Sequence, residues 1–185
     1  MRTQQMRKLK NSELNRLNVD QFKETRKIPL LVVLDNIRSL NNIGSVFRTA
    51  DAFLIEKVFL CGITATPPNK EIHKTALGAT ESVDWEYTED TLTLIKKLKS
   101  EKVIILSVEQ AEGSTSLEEF EPSTDQKYAI IFGNEVKGVQ QDVVSESEMC
   151  LEIPQYGTKH SLNISVSCGI VLWDLFSKIR FKSAK

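Results

Sequence analysis

LEIPQYGTKHSLNISVSCGI, residues 151–170, is the stretch on which the fold is read. It opens as a short apolar strand that Pro154 stops. A tight loop containing Gly157 follows, then Ser161-Leu162-Asn163 and an apolar run to Phe176. Ser161 or Asn163 can cap that run as a helix, because a short polar side chain accepts from the free N–H groups of a first turn. A loop that enters a helix N-terminus suits a polar ligand. An ordinary strand–loop–helix connection explains this one stretch equally well.

Working outward, strands and helices alternate. Leu30–Leu34 is a continuous β-branched apolar run, read as a buried strand. In Asn42–Phe53 the residues Ile43, Val46, Phe47, Ala50 and Phe53 fall at helical spacing. Strands are predicted at 57–61, 83–87, 103–108 and 128–132, and helices at 70–79 and 89–99. The alternation predicts an α/β fold with a mainly parallel sheet and helices on both faces. Ligands of such sheets sit beyond the carboxyl ends of the strands. Those ends are Asp35–Asn42, Ser107–Glu112, Gly133–Gly138 and Pro154–Asn163.

The 185 residues suit one domain, and 41% hydrophobic with 26% charged residues is a globular composition. No apolar run reaches membrane-span length, and MRTQQMRKLK lacks the apolar core of a signal peptide. Cys61, Cys150 and Cys168 lack metal-ligand spacing and lie among apolar residues. They are expected to be buried free thiols in a cytoplasmic protein without a metal. Residues 1–27 hold eight Lys/Arg against three Asp/Glu, so a net −1 divides into +5 for this arm and −6 for the rest. Within the arm, Ser12–Lys23 is predicted as one amphipathic helix through Leu14, Leu17 and Phe22. A basic arm is a candidate RNA contact, although a solvated helix with surplus lysines has the same composition. The expected organisation is an arm at 1–27, a domain at 28–180 and a tail at 181–185.

No GxGxxG, GxxxxGK[ST] or GxSxG motif is present, which removes the usual dinucleotide, NTP and hydrolase readings. Three stretches carry polar residues at the predicted ligand end. NIGSVFRTADAF places Asn42, Gly44 and Arg48 on one helix. IIFGNEVKGV sets Glu135 between Gly133 and Gly138, two glycines expected to let backbone approach a ligand. The third is the 151–170 stretch itself. Singly, each has a structural explanation as surface or turn residues.

Together and in order, they resemble the motifs of the SpoU (TrmH) family of RNA ribose 2′-O-methyltransferases, within the SPOUT superfamily. The matching residues are Asn42, Gly44, Arg48, Thr49 and Ala50; Phe132, Gly133, Glu135 and Gly138; and Ile153, Pro154, Gly157, Ser161, Leu162, Asn163, Ile164 and Ser165. The resemblance spans about Ile28 to Ile179. It implies a C-terminal deep trefoil knot, which periodicity cannot show, and a homodimer paired through the last helix. It implies S-adenosylmethionine as cofactor, held around Gly133, Ile153, Ser161, Leu162 and Asn163. It implies methyl transfer to a ribose 2′-hydroxyl, with Arg48, Asn42, Glu135, Ser161 and Asn163 as the catalytic set. Arg48 would bind the adjacent phosphate and stabilise negative charge. Asn42 would orient the ribose or Arg48, and Glu135 would hold Arg48 or Asn163.

The chain is expected to lack the extra N-terminal domain of some relatives. The short basic arm and PPNKEIHKTALGA look most like tRNA enzymes that methylate a D-loop guanosine. Arg7, Lys8, Lys10, Arg16, Lys23, Arg26 and Lys27 would then join Arg48 in contacting RNA. Ribosomal RNA, the tRNA wobble nucleotide, and a noncatalytic RNA-binding module of the same fold are the alternatives.

Overall fold

A computed structural model describes residues 6–182. The elements are β1 Ile28–Asp35, β2 Ile55–Cys61, β3 Trp85–Thr88, β4 Ile104–Val108, β5 Thr115–Ser116, β6 Tyr128–Phe132 and β7 Met149–Glu152. The helices are α1 Val19–Glu24, α2 Leu40–Ala52, α3 Lys70–Ala76, α4 Ala79–Ser82, α5 Thr91–Ser100, α6 Gln141–Glu146 and α7 Ile164–Lys182. The seven strands form one sheet in the order β3-β2-β1-β6-β4-β7-β5. Every ladder is parallel, as the alternation predicted.

β1 is apolar throughout because both of its faces are covered. Leu30, Val32 and Leu34 join a core with Ile43, Val46 and Phe47 of α2 and Cys168, Val171 and Leu172 of α7. Leu31 and Val33 join a second core with Leu94, Ile95 and Leu98 of α5 and Val143 of α6. Period-two alternation sends successive residues to opposite faces. α2 starts at Ser39, whose hydroxyl accepts from the Asn42 N–H. Asp90 caps α5 by accepting from Thr93 N–H.

Gly44 fits α2 against α3. A Cβ there would lie 2.1 Å from Thr75 Oγ1 and 2.3 Å from the Ile72 carbonyl oxygen. Its place in the first motif thus has a packing reason. Gly44→Ala is expected to destabilise the domain by about 1–3 kcal/mol, the usual cost of overpacking, read by urea unfolding.

Several expectations are corrected. The predicted Ser12–Lys23 helix is broken: a 3-10 turn covers Asn11–Glu13, Asn15 has φ +46°, and Asn18 caps α1. Leu14 and Leu17 have helical spacing but are exposed, and only Phe22 is buried. The predicted 70–79 helix is two helices, because Leu77 and Gly78 take φ +50° and +89°. Cys61 and Cys168 are buried free thiols, while Cys150 is half-buried. Burial, with a smaller push from Asp35, takes the Cys61 thiol up to about 12. Residues 1–5 of the expected arm and 183–185 of the expected tail lie outside the described residues.

Candidate active site

The site is assembled at the carboxyl ends of β1, β4, β6 and β7. β4 lies between β6 and β7, with Val108 opposite both Phe132 and Leu151. The loops that follow β4, β6 and β7 enclose a cleft of about 950 Å³, and the loop after β1 borders it. Gly133, Ile153, Ser161, Leu162 and Asn163, the expected cofactor residues, all line it, and so does Glu135.

Above the cleft, three distant stretches meet through one hydrogen-bonded chain. The Glu135 carboxylate accepts from the backbone N–H groups of Arg38 and Ser39, both at 3.0 Å, and from Asn42 Nδ2 at 3.1 Å. Asn42 Oδ1 accepts from Asn163 Nδ2 at 3.2 Å. Asn163 Oδ1 accepts from the Ser165 N–H and hydroxyl, so Asn163 rather than Ser161 caps α7. Partial burial pushes the Glu135 carboxyl up. Its backbone donors, Arg38 first, and the Asn42 amide outweigh that and hold it below its ordinary value. Asn42 is buried. Its amide spans the other two motifs, a role the sequence reading did not assign.

Arg48 is not part of this constellation. It lies six residues beyond Asn42 on α2, about 9 Å farther along the axis and about a third of a turn round. Its side chain is exposed, does not line the cleft, and has no ion pair or hydrogen-bond partner among the described residues. Of the two partners expected for Glu135, Arg48 is not in contact with it and Asn163 is reached through Asn42, while the carboxylate itself takes Asn42 and the loop before α2.

The two glycines make room for protein rather than for a ligand. A Cβ on Gly133 would lie 2.1 Å from the Gly138 carbonyl carbon and the Val139 nitrogen. One on Gly138 would lie 2.2 Å from Glu109 Oε2. The hairpin is closed by paired backbone hydrogen bonds between Asn134 and Gly138 and by Asn134 Oδ1, which accepts from the Val136 and Lys137 N–H groups. Asn134 Nδ2 donates to the Asn36 carbonyl at 2.7 Å, tying the hairpin to the end of β1. Asn134 was missed, although an Asn after a strand-ending glycine is a turn signal. Asp35 was placed among the ligand loops. Instead it is fully buried, accepting from Thr91 Oγ1 and from both nitrogens of Gln140.

The arm cations divide. Arg7 pairs with Glu13 at 2.7 Å. Lys27 donates to the Phe22 and Thr25 carbonyls at the end of α1 and lies over the Phe22 ring. These two are structural ties. Lys8, Lys10, Arg16, Lys23 and Arg26 are exposed without carboxylate partners among the described residues. No group of three or more His, Cys, Asp or Glu among the described residues is placed to hold a metal. No described helix is long and apolar enough to cross a membrane.

The model of the SpoU rRNA Methylase family matches residues 29–173. The chain belongs to this family. A 23S rRNA (guanosine-2′-O-)-methyltransferase of Neisseria meningitidis is 31% identical over 78% of the chain and 56% of its own length. The chain spans between 56% and 64% of the length of such curated relatives. The fold is similar to that of the A. aeolicus TrmH/SpoU tRNA modifying enzyme, at TM-score 0.79 and 23% identity over 89% of this chain and 82% of that one. A structure described by 2-OH methylation of C/U34 on tRNA superposes at TM-score 0.72 and 23% identity, covering 82% of this chain and 97% of that one. The SpoU match begins one residue into β1 and ends within α7, so it covers all three motif stretches and leaves out the arm.

Proposed function

We propose that the chain is an S-adenosylmethionine-dependent RNA methyltransferase acting on a ribose 2′-hydroxyl. The observation that carries this reading is the Glu135–Asn42–Asn163 chain, which locks the three motif stretches of a SpoU domain around one cleft. The cleft suits the cofactor. Its volume is that of a small-molecule site, Ile153 and Leu162 offer apolar surface, and Glu109, Glu135 and Glu152 suit a cationic ligand. When bound there, S-adenosylmethionine supplies an activated methyl group on a positively charged sulfur.

The chain's own residues position and stabilise. Asn163 holds the loop that opens α7 by fixing it to Asn42, and Ser161 and Leu162 line the cleft beside it. Arg48 binds the phosphate beside the target ribose and stabilises negative charge on the 2′-oxygen. A guanidinium stays protonated, so it serves by charge and not as a base.

A homodimer brings Arg48 to a cleft. Val166, Ile170, Trp173 and Phe181 expose large apolar surface along α7, whose other face packs in the core. Contiguous exposed apolar surface of this kind fits a partner. α7 packs on α2, so pairing through α7 brings α2, which carries Arg48, close to the seam between subunits. The trefoil knot belongs to the same reading, supported by β7 lying beyond β4 from β6.

The substrate is tRNA, with a D-loop guanosine as target. The five unpaired arm cations support an RNA backbone contact. Ribosomal RNA is the second reading, favoured by the 31% identical relative, a 23S rRNA (guanosine-2′-O-)-methyltransferase. The deciding experiment is methyl transfer from labelled cofactor to total tRNA and to ribosomal RNA, with digestion to locate the 2′-O-methyl nucleotide. Label in a tRNA D-loop guanosine is the expected result. Label in ribosomal RNA alone overturns the substrate. No label, with no cofactor binding by calorimetry, overturns the enzyme reading and favours a noncatalytic RNA-binding module.

A further inference from the structure

We infer that Glu109 and Gln110 are positioning residues of the cleft, a two-residue clasp that fixes the loop after β6 to the loop after β7. The inference rests on the cofactor reading above and deepens it. No motif stretch contains either residue.

The topology gives these two positions a unique place. β4 lies between β6 and β7, so the residues just past its end adjoin both ligand loops at once. The two side chains take opposite directions. Glu109 Oε2 accepts from the Val139 N–H at 3.0 Å, at the far end of the Asn134–Gly138 hairpin. Gln110 Nε2 donates to the His160 carbonyl at 2.9 Å, immediately before Ser161-Leu162-Asn163. The unit is braced internally, since Glu109 Oε1 accepts from the Gln110 N–H at 3.0 Å. The Glu109 N–H donates to the Leu151 carbonyl at 3.1 Å.

Gly138 shows how closely the carboxylate is seated. Its φ is +68°, and a side chain there would occupy the position of Glu109 Oε2. The second glycine of the hairpin motif is therefore the socket for a residue outside the motif. Glu109, Gln110, Gly138, Val139 and His160 all line the cleft. Releasing the clasp frees two walls of the cleft to separate, while leaving the Glu135–Asn42–Asn163 chain intact. A positioning role of this kind raises the cost of ordering the loops on binding.

The test compares Gln110→Glu, Gln110→Ala and Glu109→Ala with wild type. The readouts are calorimetric Kd for S-adenosylhomocysteine, KM for S-adenosylmethionine, kcat, and the unliganded unfolding midpoint. Gln110→Glu preserves size but replaces the donor with an acceptor facing a carbonyl. It is expected to raise Kd and KM at least as much as Gln110→Ala, about three- to tenfold for one lost hydrogen bond, with kcat at saturation kept. A residue that only fills space would tolerate Gln110→Glu. Because Gln110 is exposed, its variants remain informative even if Glu109→Ala fails to fold. Wild-type binding matched by both Gln110 variants overturns the clasp, as does a fall in kcat with KM unchanged. Failure of wild type itself to bind S-adenosylhomocysteine removes the cofactor reading, and the clasp with it.

Discussion

Arg48→Ala is expected to lower kcat for RNA methylation by about 10²–10³-fold, the range found when one preorganised charge-stabilising donor is removed. Cofactor affinity and the unfolding midpoint should stay at wild-type values, because Arg48 neither lines the cleft nor supports its framework. Arg48→Lys should recover little, since an ammonium cannot reproduce the bidentate fork of a guanidinium on a phosphate. A pH–rate profile that loses a deprotonating group in Arg48→Lys would instead make the residue a base. The sharper measurement uses mixed dimers of Arg48→Ala and Glu135→Ala chains. If Arg48 serves the partner subunit's cleft, each mixed dimer keeps one complete site, and activity rises well above that of either homodimer. If it serves its own cleft, every site in the mixed dimer lacks one group and activity stays lost.

Which cleft Arg48 serves is not encoded in the spacing along α2. Helical geometry places Asn42 and Arg48 on different faces, and one chain completes only the Asn42 face. Other features were directly legible. The run Leu30–Leu34 disclosed a strand covered on both sides, because no half-exposed strand can be apolar at every position. The motif residues 133, 135, 153 and 161–163 converge because strand ends of a parallel sheet converge.

The errors have physical causes. Leu14, Leu17 and Phe22 satisfy helical periodicity, but only Phe22 finds a core, so tertiary burial overrides spacing. α6 escaped notice because QDVVSE is short and lacks a side-chain cap, and β5 is two residues long. Lys27 looked like a phosphate contact, yet the carbonyls ending α1 take its ammonium. The Gly133 and Gly138 roles depended on what fills the space beside them, which requires the packed structure.

Glu135→Ala is the second variant with a large expected effect, and it acts by a different route. It leaves the Arg38 and Ser39 N–H groups and the Asn42 amide without their common acceptor. Water reaches this exposed carboxylate, so the stability loss should be only about 1 kcal/mol, near the typical net value of a hydrogen bond. Activity should fall further, by about 10²-fold, because misplacing bound groups by an ångström is enough for that loss. Kd for S-adenosylhomocysteine should rise as well, which separates this variant from Arg48→Ala. Glu135→Gln should recover part of the loss, since its carbonyl oxygen still accepts while its amide faces donors. The acid limb gives an independent check. The Glu135 carboxyl is depressed in the folded protein, so its contribution is full above the ordinary carboxylate value. That contribution disappears as pH falls through the lower folded value. Cofactor affinity of the wild type should hold on acidification to the ordinary carboxylate range and weaken below it, and Glu135→Gln should lack that step. An identical acid limb in both proteins would place the titrating group elsewhere and detach Glu135 from the binding framework.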